Sequence, residues 1–441
     1  MTYTESIRYL NSFFNFERVS GFSYKREFNL KRMKTLLGWF HHPESNYKTV
    51  LVAGTKGKGS TASFLSSLLS AHSIRTGLYT SPHLADFRER IRISGELISK
   101  KELTEIISEI KKVLLKKQKE VKKMPPATFF EISTLIALLY FTRKKADWAV
   151  LEVGMGGRLD ATNAVKQSLS VFTLLGFDHE EHLGKTVRLI AGEKAAILKS
   201  KAPFVCAHQT KDAAAVIRAT AKKVHAKGFF AGKDFNYKII KADKDGSVFN
   251  FKMGDAKLHN CRIRLSGTFQ VGNAALALSA LLILKKQYGV PVAEVSTKRG
   301  LFNARWPGRF EVVERKGCTI VLDGAHNVDS VKTLAQNMRR FFPNKEIVTV
   351  FGVSREKNLK AILPILRKRS KVLITVQGGS ERAQIQKEIV QASAPYFREI
   401  LMTENLTEAL QCLANFLDAG KIGLVTGSLY LVGEARRILK S

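Results

Sequence analysis

Residues Val50–Thr61 (VLVAGTKGKGST) constrain this chain more than any other stretch. A short apolar run rich in β-branched residues enters a Gly/Lys/Ser turn, and a helix-length segment, Thr61 to Ala71, follows at once. This is the order of a buried strand, a phosphate-cradling loop and a helix N-terminus, and it commits the region to alternating strands and helices. Glycines let backbone close round phosphate oxygens. Successive N–H groups form an anion nest. Lys58 adds a point charge, and a hydroxyl at Ser60 or Thr61 can reach a phosphate-bound Mg²⁺. The general P-loop pattern is met only in part: Val52 stands where its first glycine belongs, and Gly59 displaces the hydroxyl by one residue. The expectation is a variant P-loop, the plainer reading a Gly-rich turn.

A chain of 441 residues exceeds one compact core, so more than one domain is expected. Strand-like runs at Thr49–Ala53, Thr76–Thr80, Trp148–Val153, Leu169–Leu174 and Pro203–Ala207 alternate with helix-length segments. They resume at Thr319–Leu322, Glu346–Phe351, Lys371–Val376 and Ile422–Thr426. Near-continuous apolar strands separated by helices predict parallel sheets covered on both faces. Phe229 to Leu265 instead alternates and carries turn signals, which predicts a small antiparallel excursion. The division falls near Gly300 to Pro307, giving units 1–300 and 301–441.

The net charge of +34 draws in polyanions, nucleotides or acidic substrates. The densest run, Lys111 to Lys123, interleaves no aromatic residue, so it reads as the solvated face of a helix ended by Pro125-Pro126 rather than a stacking platform for single strands. No specific nucleic-acid partner is expected. The longest apolar run, Ile132 to Phe141, is too short to cross a bilayer, and the N-terminus lacks signal-peptide character. Cys206, Cys261, Cys318 and Cys412 have no metal-ligand spacing. The chain reads as a cytoplasmic protein with reduced thiols and no membrane partner.

Three further constellations follow strands. Glu152-Val153-Gly154-Met155-Gly156-Gly157-Arg158-Leu159-Asp160 puts a carboxylate beside backbone-exposing glycines, where a doubly wound sheet binds ligands; Mg²⁺ favours such hard oxygen donors. Phe177-Asp178-His179-Glu180-Glu181-His182 is a metal edge, a general base or simply a polar loop, with Mg²⁺ favoured over zinc. Asp323-Gly324-Ala325-His326-Asn327 is a turn, or a contact to ribose or phosphate. Arg309, within Trp306-Pro307-Gly308-Arg309, carries a fork that matches oxyanions.

In this order, together with Thr80–Leu84, Phe87–Ile93, Thr128–Glu131, Glu193–Ala195, Gln270–Asn273 and Gly427–Glu434, these segments resemble the folylpolyglutamate synthase/dihydrofolate synthase family of the Mur ligase superfamily. The resemblance spans roughly residues 25 to 435. It implies a large doubly wound P-loop domain followed by a smaller Rossmann-like α/β domain, and an ATP-dependent ligase. In such enzymes a pteroate or folate carboxylate takes the γ-phosphate of ATP, and L-glutamate then attacks the acyl phosphate. The resemblance assigns ATP contacts to Gly54, Thr55, Lys56, Gly57, Lys58, Gly59, Ser60, Thr61, Asn273, Arg309, Asp323 and His326. It assigns two Mg²⁺ ions to Ser60, Ser81, Glu152, His179 and Lys194, the last as a carbamate, and catalysis to Lys58, Lys194 and His179. Thr128, Phe129, Phe130, Glu131, Leu159, Asp160 and Ala161 fall on the pterin side. The chain is expected to act as a monomer on dihydropteroate or folates, L-glutamate and ATP. It departs from the family at Lys56 (usually Asn), Asn29 (usually Gly) and Val328 (usually Pro). The runner-up readings are a UDP-muramyl amino-acid ligase of the same superfamily and a nucleic-acid-stimulated NTPase.

Overall fold

The computed structural model describes residues 1–19, 21–120, 126–315, 317–378, 383–418 and 420–440. Lys122, Lys123 and Pro125, part of the lysine run and its expected stop, lie outside them.

Among the described residues, eight strands build the first sheet: β1 (Lys48–Ala53), β2 (Thr76–Tyr79), β3 (Ile91–Ile93), β4 (Glu96–Leu97), β5 (Trp148–Glu152), β6 (Leu169–Phe172), β7 (Phe204–Cys206) and β8 (Gly228–Phe230). Their order is β4-β3-β2-β5-β1-β6-β7-β8. The six strands from β2 to β8 in that order pair in parallel, and β3 and β4 add an antiparallel edge. Every residue of β1 after Lys48 is buried, and its side chains alternate between faces. Val50 and Val52 enter the core beneath helices Lys58–Ala71 and Phe269–Tyr288, while Leu51 and Ala53 enter the core of helix Phe129–Arg143. A strand with two buried faces must be mostly apolar, which is why Val50–Ala53 reads as an unbroken run.

The antiparallel excursion is present as β9 (Phe235–Asp243), β10 (Gly246–Met253) and β11 (Ala256–Ile263), paired in the order β11-β10-β9. The third sheet comprises β12 (Glu311–Arg315), β13 (Cys318–Asp323), β14 (Glu346–Phe351), β15 (Ser370–Thr375), β16 (Glu399–Met402) and β17 (Lys421–Thr426), ordered β12-β13-β17-β14-β15-β16. Only β12 runs antiparallel. Its two faces are also covered: Phe351 joins one core, Val348 and Val350 the other.

Helix Glu294–Asn303 runs through the division expected after residue 300; Leu301 and Ala304 pack in a core of the first sheet and Phe310 in one of the third. The change of core therefore falls between Ala304 and Phe310. Helix Phe269–Tyr288, longer than the apolar run Ile132 to Phe141, has 20 residues and is long and apolar enough to cross a membrane, with 67% of its most apolar window buried inside the protein. It packs on helix Lys58–Ala71 as an interior element.

Candidate active site

β1 is flanked by β5 and β6 within the run of six parallel strands, whose carboxyl ends face the same side. There a cleft of about 700 Å³ opens between the first and third sheets. Gly57 precedes helix Lys58–Ala71 with φ +86°, and no side chain caps the helix, so its first amides are free for an anion. The loop is tied at its start. Thr55 and Lys56 amides donate to the Leu174 carbonyl at 3.0 and 3.1 Å, and the Thr55 hydroxyl donates to the Gly176 carbonyl at 3.1 Å. A side chain at Gly54 would strike Thr173, and one at Gly57 would strike Asn273. Gly59, the residue that displaces the P-loop hydroxyl, lies against the Trp306 indole. Thr55 through Ser60 line the cleft. Gly54 and Thr61 are buried at the loop's ends, and the Thr61 hydroxyl has no partner, so of the two hydroxyls Ser60 is the one that faces ligand. Lys56 points across the cleft to Asp329, Nζ to Oδ2 3.1 Å.

Glu152 ends β5, is 4% exposed, and accepts the Ser81 amide at 3.1 Å. Burial raises its pKa against the pull of Lys58 and Arg309. Asp178, after β6, also lines the cleft. Burial alone would raise it, but His179, Lys58, His326 and Lys194 hold it down at about 2. The sequence marked its motif without placing Asp178 in the site. His179 has a left-handed backbone, φ +51°; its Nε2 lies 3.8 Å from Asp178 Oδ2 and its side chain is 41% exposed. Lys194, in helix Val187–Ala195, is 4% exposed. Burial first, then the Lys58 charge, brings it down to about 7, while Asp178 and Asp160 oppose the shift.

Across the cleft stand Arg309, Asp323 and His326. Asp323 accepts the Phe310 and Ala325 amides, both at 2.8 Å, and faces the charge of Arg309. It is therefore spent on shaping the turn that presents Arg309, whose guanidinium lies over Gly324. His326 Nδ1 lies 2.8 Å from the Gly324 carbonyl; a carbonyl only accepts, so Nδ1 carries the proton and Nε2 is the acceptor. Burial brings its pKa down to about 4, so the ring is neutral at pH 7. Asn273 donates to Gln270 at 2.9 Å and braces Gly57.

The pterin-side residues are absent from the lining of this cleft. Thr128 caps helix Phe129–Arg143 reciprocally with Glu131, and Glu131 forms a buried pair with Arg32, Nε to Oε2 2.7 Å. Phe129 and Ala161 belong to the core. Phe130 lies over Gly154. Asp160 accepts the Met155 and Thr162 amides at 3.0 and 2.9 Å and the Thr162 hydroxyl at 2.6 Å, which fixes the glycine-rich loop. The Leu159 amide donates to Tyr24 Oη at 3.3 Å. Sequence reasoning missed Phe235 and Tyr237, which reach the cleft from β9; an aromatic in an alternating strand carries no signal of a ligand.

Among the described residues, no three His, Cys, Asp or Glu side chains come within joint reach of a metal ion. The cleft offers oxygen instead, from Ser60, Ser81, Glu152 and Asp178. That donor set fits Mg²⁺, which takes a few protein oxygens and keeps its waters, and does not fit zinc.

Residues 52–281 match the Mur ligase middle domain and residues 308–429 the Mur ligase, glutamate ligase domain. The chain is 35% identical to dihydrofolate synthase/folylpolyglutamate synthase of Bacillus subtilis over 93% of its own length and 95% of that protein's. It superposes on Mycobacterium tuberculosis folylpolyglutamate synthase complexed with ADP with a TM-score of 0.89 at 28% identity, covering 100% and 98% of the two chains. A structure described as an FPGS–AMPPCP–folate complex matches at TM-score 0.86 and 28% identity over the whole of both chains. A strand–loop–helix phosphate site facing a second α/β unit, and relatives aligned over nearly their whole length, place this chain in the folylpolyglutamate synthase/dihydrofolate synthase family of Mur ligases, which are ATP-dependent ligases.

Proposed function

We infer that the protein joins L-glutamate to the carboxylate of a pteroate or folate at the expense of ATP, releasing ADP and phosphate. One observation carries this reading. A single cleft brings Lys58 and Ser60 of the phosphate loop, Ser81 and Glu152 of the neighbouring strand ends, and Arg309 of the second unit to one place. Two anions, a carboxylate and a nucleotide triphosphate, can meet only where positive charge and backbone dipoles screen their repulsion.

The chain's own groups divide the work. The uncapped helix N-terminus and Lys58 hold the phosphates in line, and Arg309 meets charge from the opposite wall. A carboxylate oxygen attacks the γ-phosphorus as ADP leaves, giving an acyl phosphate. The glutamate amine then attacks the acyl carbon and phosphate departs. Mg²⁺ would be held by Ser60, Ser81 and Glu152, with His179 and a carbamate on Lys194 holding a second ion, and would supply charge neutralisation for the reacting anions. Lys194 suits the carbamate: only a neutral amine adds CO₂, and burial together with the Lys58 charge lowers its pKa to about 7, which makes the neutral form accessible near neutral pH. Thr128 through Glu131 and Leu159 through Ala161 then act on the pterin side chiefly by holding its walls in shape. Four free thiols support a reducing compartment such as the cytoplasm.

The test is a substrate panel. Purified protein with Mg²⁺, ATP and L-glutamate should yield a glutamyl amide, read by mass, from dihydropteroate, from tetrahydrofolate or from both, and none from UDP-muramyl acids. ADP release without any amide from the pteridine acids would overturn the reading.

A further inference from the structure

One buried chain of polar groups remains outside the roles assigned so far. Arg90, at the entry to β3, is 1% exposed. Its terminal nitrogens donate to both oxygens of Glu17, Nη1 to Oε1 2.8 Å and Nη2 to Oε2 2.5 Å. Its remaining Nε–H donates to His83 Nδ1 at 2.8 Å. Phe87 and Phe129 bracket the guanidinium, with ring centroids 5.8 and 5.3 Å away. Phe129, whose sequence reading is a pterin contact, thus holds the arginine plane. Every rotation that would release His83 breaks a paired, buried charge.

A guanidinium has five donors and no acceptor. The His83 nitrogen facing it must therefore carry a lone pair, and the ring keeps its proton on the opposite nitrogen, Nε2. An imidazolium would set two N–H groups against each other. The tautomer is thus dictated by the partner and needs no assignment from the network around it. His83 lines the cleft beside Ser81, Pro82 and Lys58. Since Nδ1 is turned inward to Arg90, the Nε2–H edge is the one offered to ligand.

We propose that His83, oriented by Glu17 and Arg90, donates its Nε2–H to the carbonyl oxygen of the activated acid substrate. The inference rests on the ligase reading above. In the amide-forming step the amine lone pair makes the C–N bond as the C=O π pair moves onto oxygen. Return of that pair expels phosphate with the electrons of the C–O bond, and the extra proton on nitrogen passes to water. Charge thus grows on the oxygen that His83 faces, and a fixed donor aimed there is worth more in the transition state than in the ground state. His83 is the catalytic residue in this sense; Glu17 and Arg90 are positioning residues.

The test uses the full-length protein with Mg²⁺, ATP, glutamate and whichever pteridine acid the panel identifies. His83→Phe keeps a flat ring without the donor and should slow amide formation about 100-fold, with the KM for ATP within twofold. His83→Gln, whose amide can accept from Arg90 and donate onward, should regain at least tenfold of that loss. Glu17→Gln strips Arg90 of its buried counter-charge, so its melting temperature should fall; assayed well below that temperature it should lower kcat severalfold at unchanged KM for ATP, so a misfolded phenylalanine variant leaves the proposal testable. Wild-type rates in His83→Phe, or a glutamine variant no faster than phenylalanine while folded, would overturn it. A wild-type protein that makes no amide overturns the ligase reading and this inference with it, whereas active wild type with an indifferent His83 overturns the inference alone.

Discussion

Lys58 and Lys194 bring two amines into one poorly hydrated region, and the second is held well below the usual lysine range. Lys194 is the deeper, and burial with the Lys58 charge lowers it from 10.5 to about 7. Its folded value lies below its unfolded one, so between pH 7 and 10.5 the unfolded chain binds a proton that the folded chain does not. Stability contributed by this position must therefore rise with pH across that window and be lost as pH falls through it. Urea unfolding of wild type and Lys194→Met at a series of pH values should show the wild type gaining on the variant from pH 7 upward; a constant difference would mean that Lys194 stays charged. Single residues were unevenly legible. Gly57, Lys58 and Ser60 were readable because a phosphate loop needs glycine, charge and hydroxyl at fixed offsets. Lys56 was readable as charge near phosphate, but its partner Asp329 sits far along the chain, and only the folded structure shows the charge turned across the cleft.

Elements buried on both faces announced themselves, because β1, β5, β14 and β17 have little solvent side and carry mostly apolar residues, with threonine as the interior polar exception in β1 and β14. The edges did not. The Glu-Val-Val-Glu-Arg of β12 and the exposed β16 follow no such run, and β4 is two residues long. Helix Phe129–Arg143 was legible as apolar, but the role of its first turn was not. Glu131 both caps the helix and pairs with buried Arg32. Replacing Glu131 with Ala should destabilise the protein by about 3–5 kcal/mol, since it strands a buried guanidinium. An unchanged denaturant midpoint would return Glu131 to a purely ligand-binding role. The last helix, Leu429–Lys440, meets the first unit at Gly433, where an added Cβ would press on the Leu84 carbonyl and its Cα, 2.9 Å away. Gly433→Ala should push the two units apart and lower kcat by up to about 100-fold through misalignment of the cleft walls, with an increased radius in X-ray scattering; equal activity and radius would show that the close approach is dispensable.

At the scale of the molecule, two α/β units each bury their own sheet and leave the reacting groups at the seam. That arrangement was legible from the alternation of strands and helices and from the order of the motifs. The cleft itself was not, because Arg309 and His326 meet Lys58 and Asp178 only when helix Leu429–Lys440 and the Trp306 segment dock on the first unit. The net charge of +34 acts at this scale too, drawing anionic reactants toward a cleft whose acids, Glu152 and Asp178, are shielded by lysines and arginines. The claim underlying the whole account is that a carboxylate becomes an acyl phosphate before nitrogen attacks. A pteridine acid labelled with ¹⁸O in its reacting carboxylate measures this directly. After one turnover with ATP and glutamate, the account predicts one labelled oxygen in the released inorganic phosphate, found by mass spectrometry. Amide product accompanied by unlabelled phosphate would contradict it.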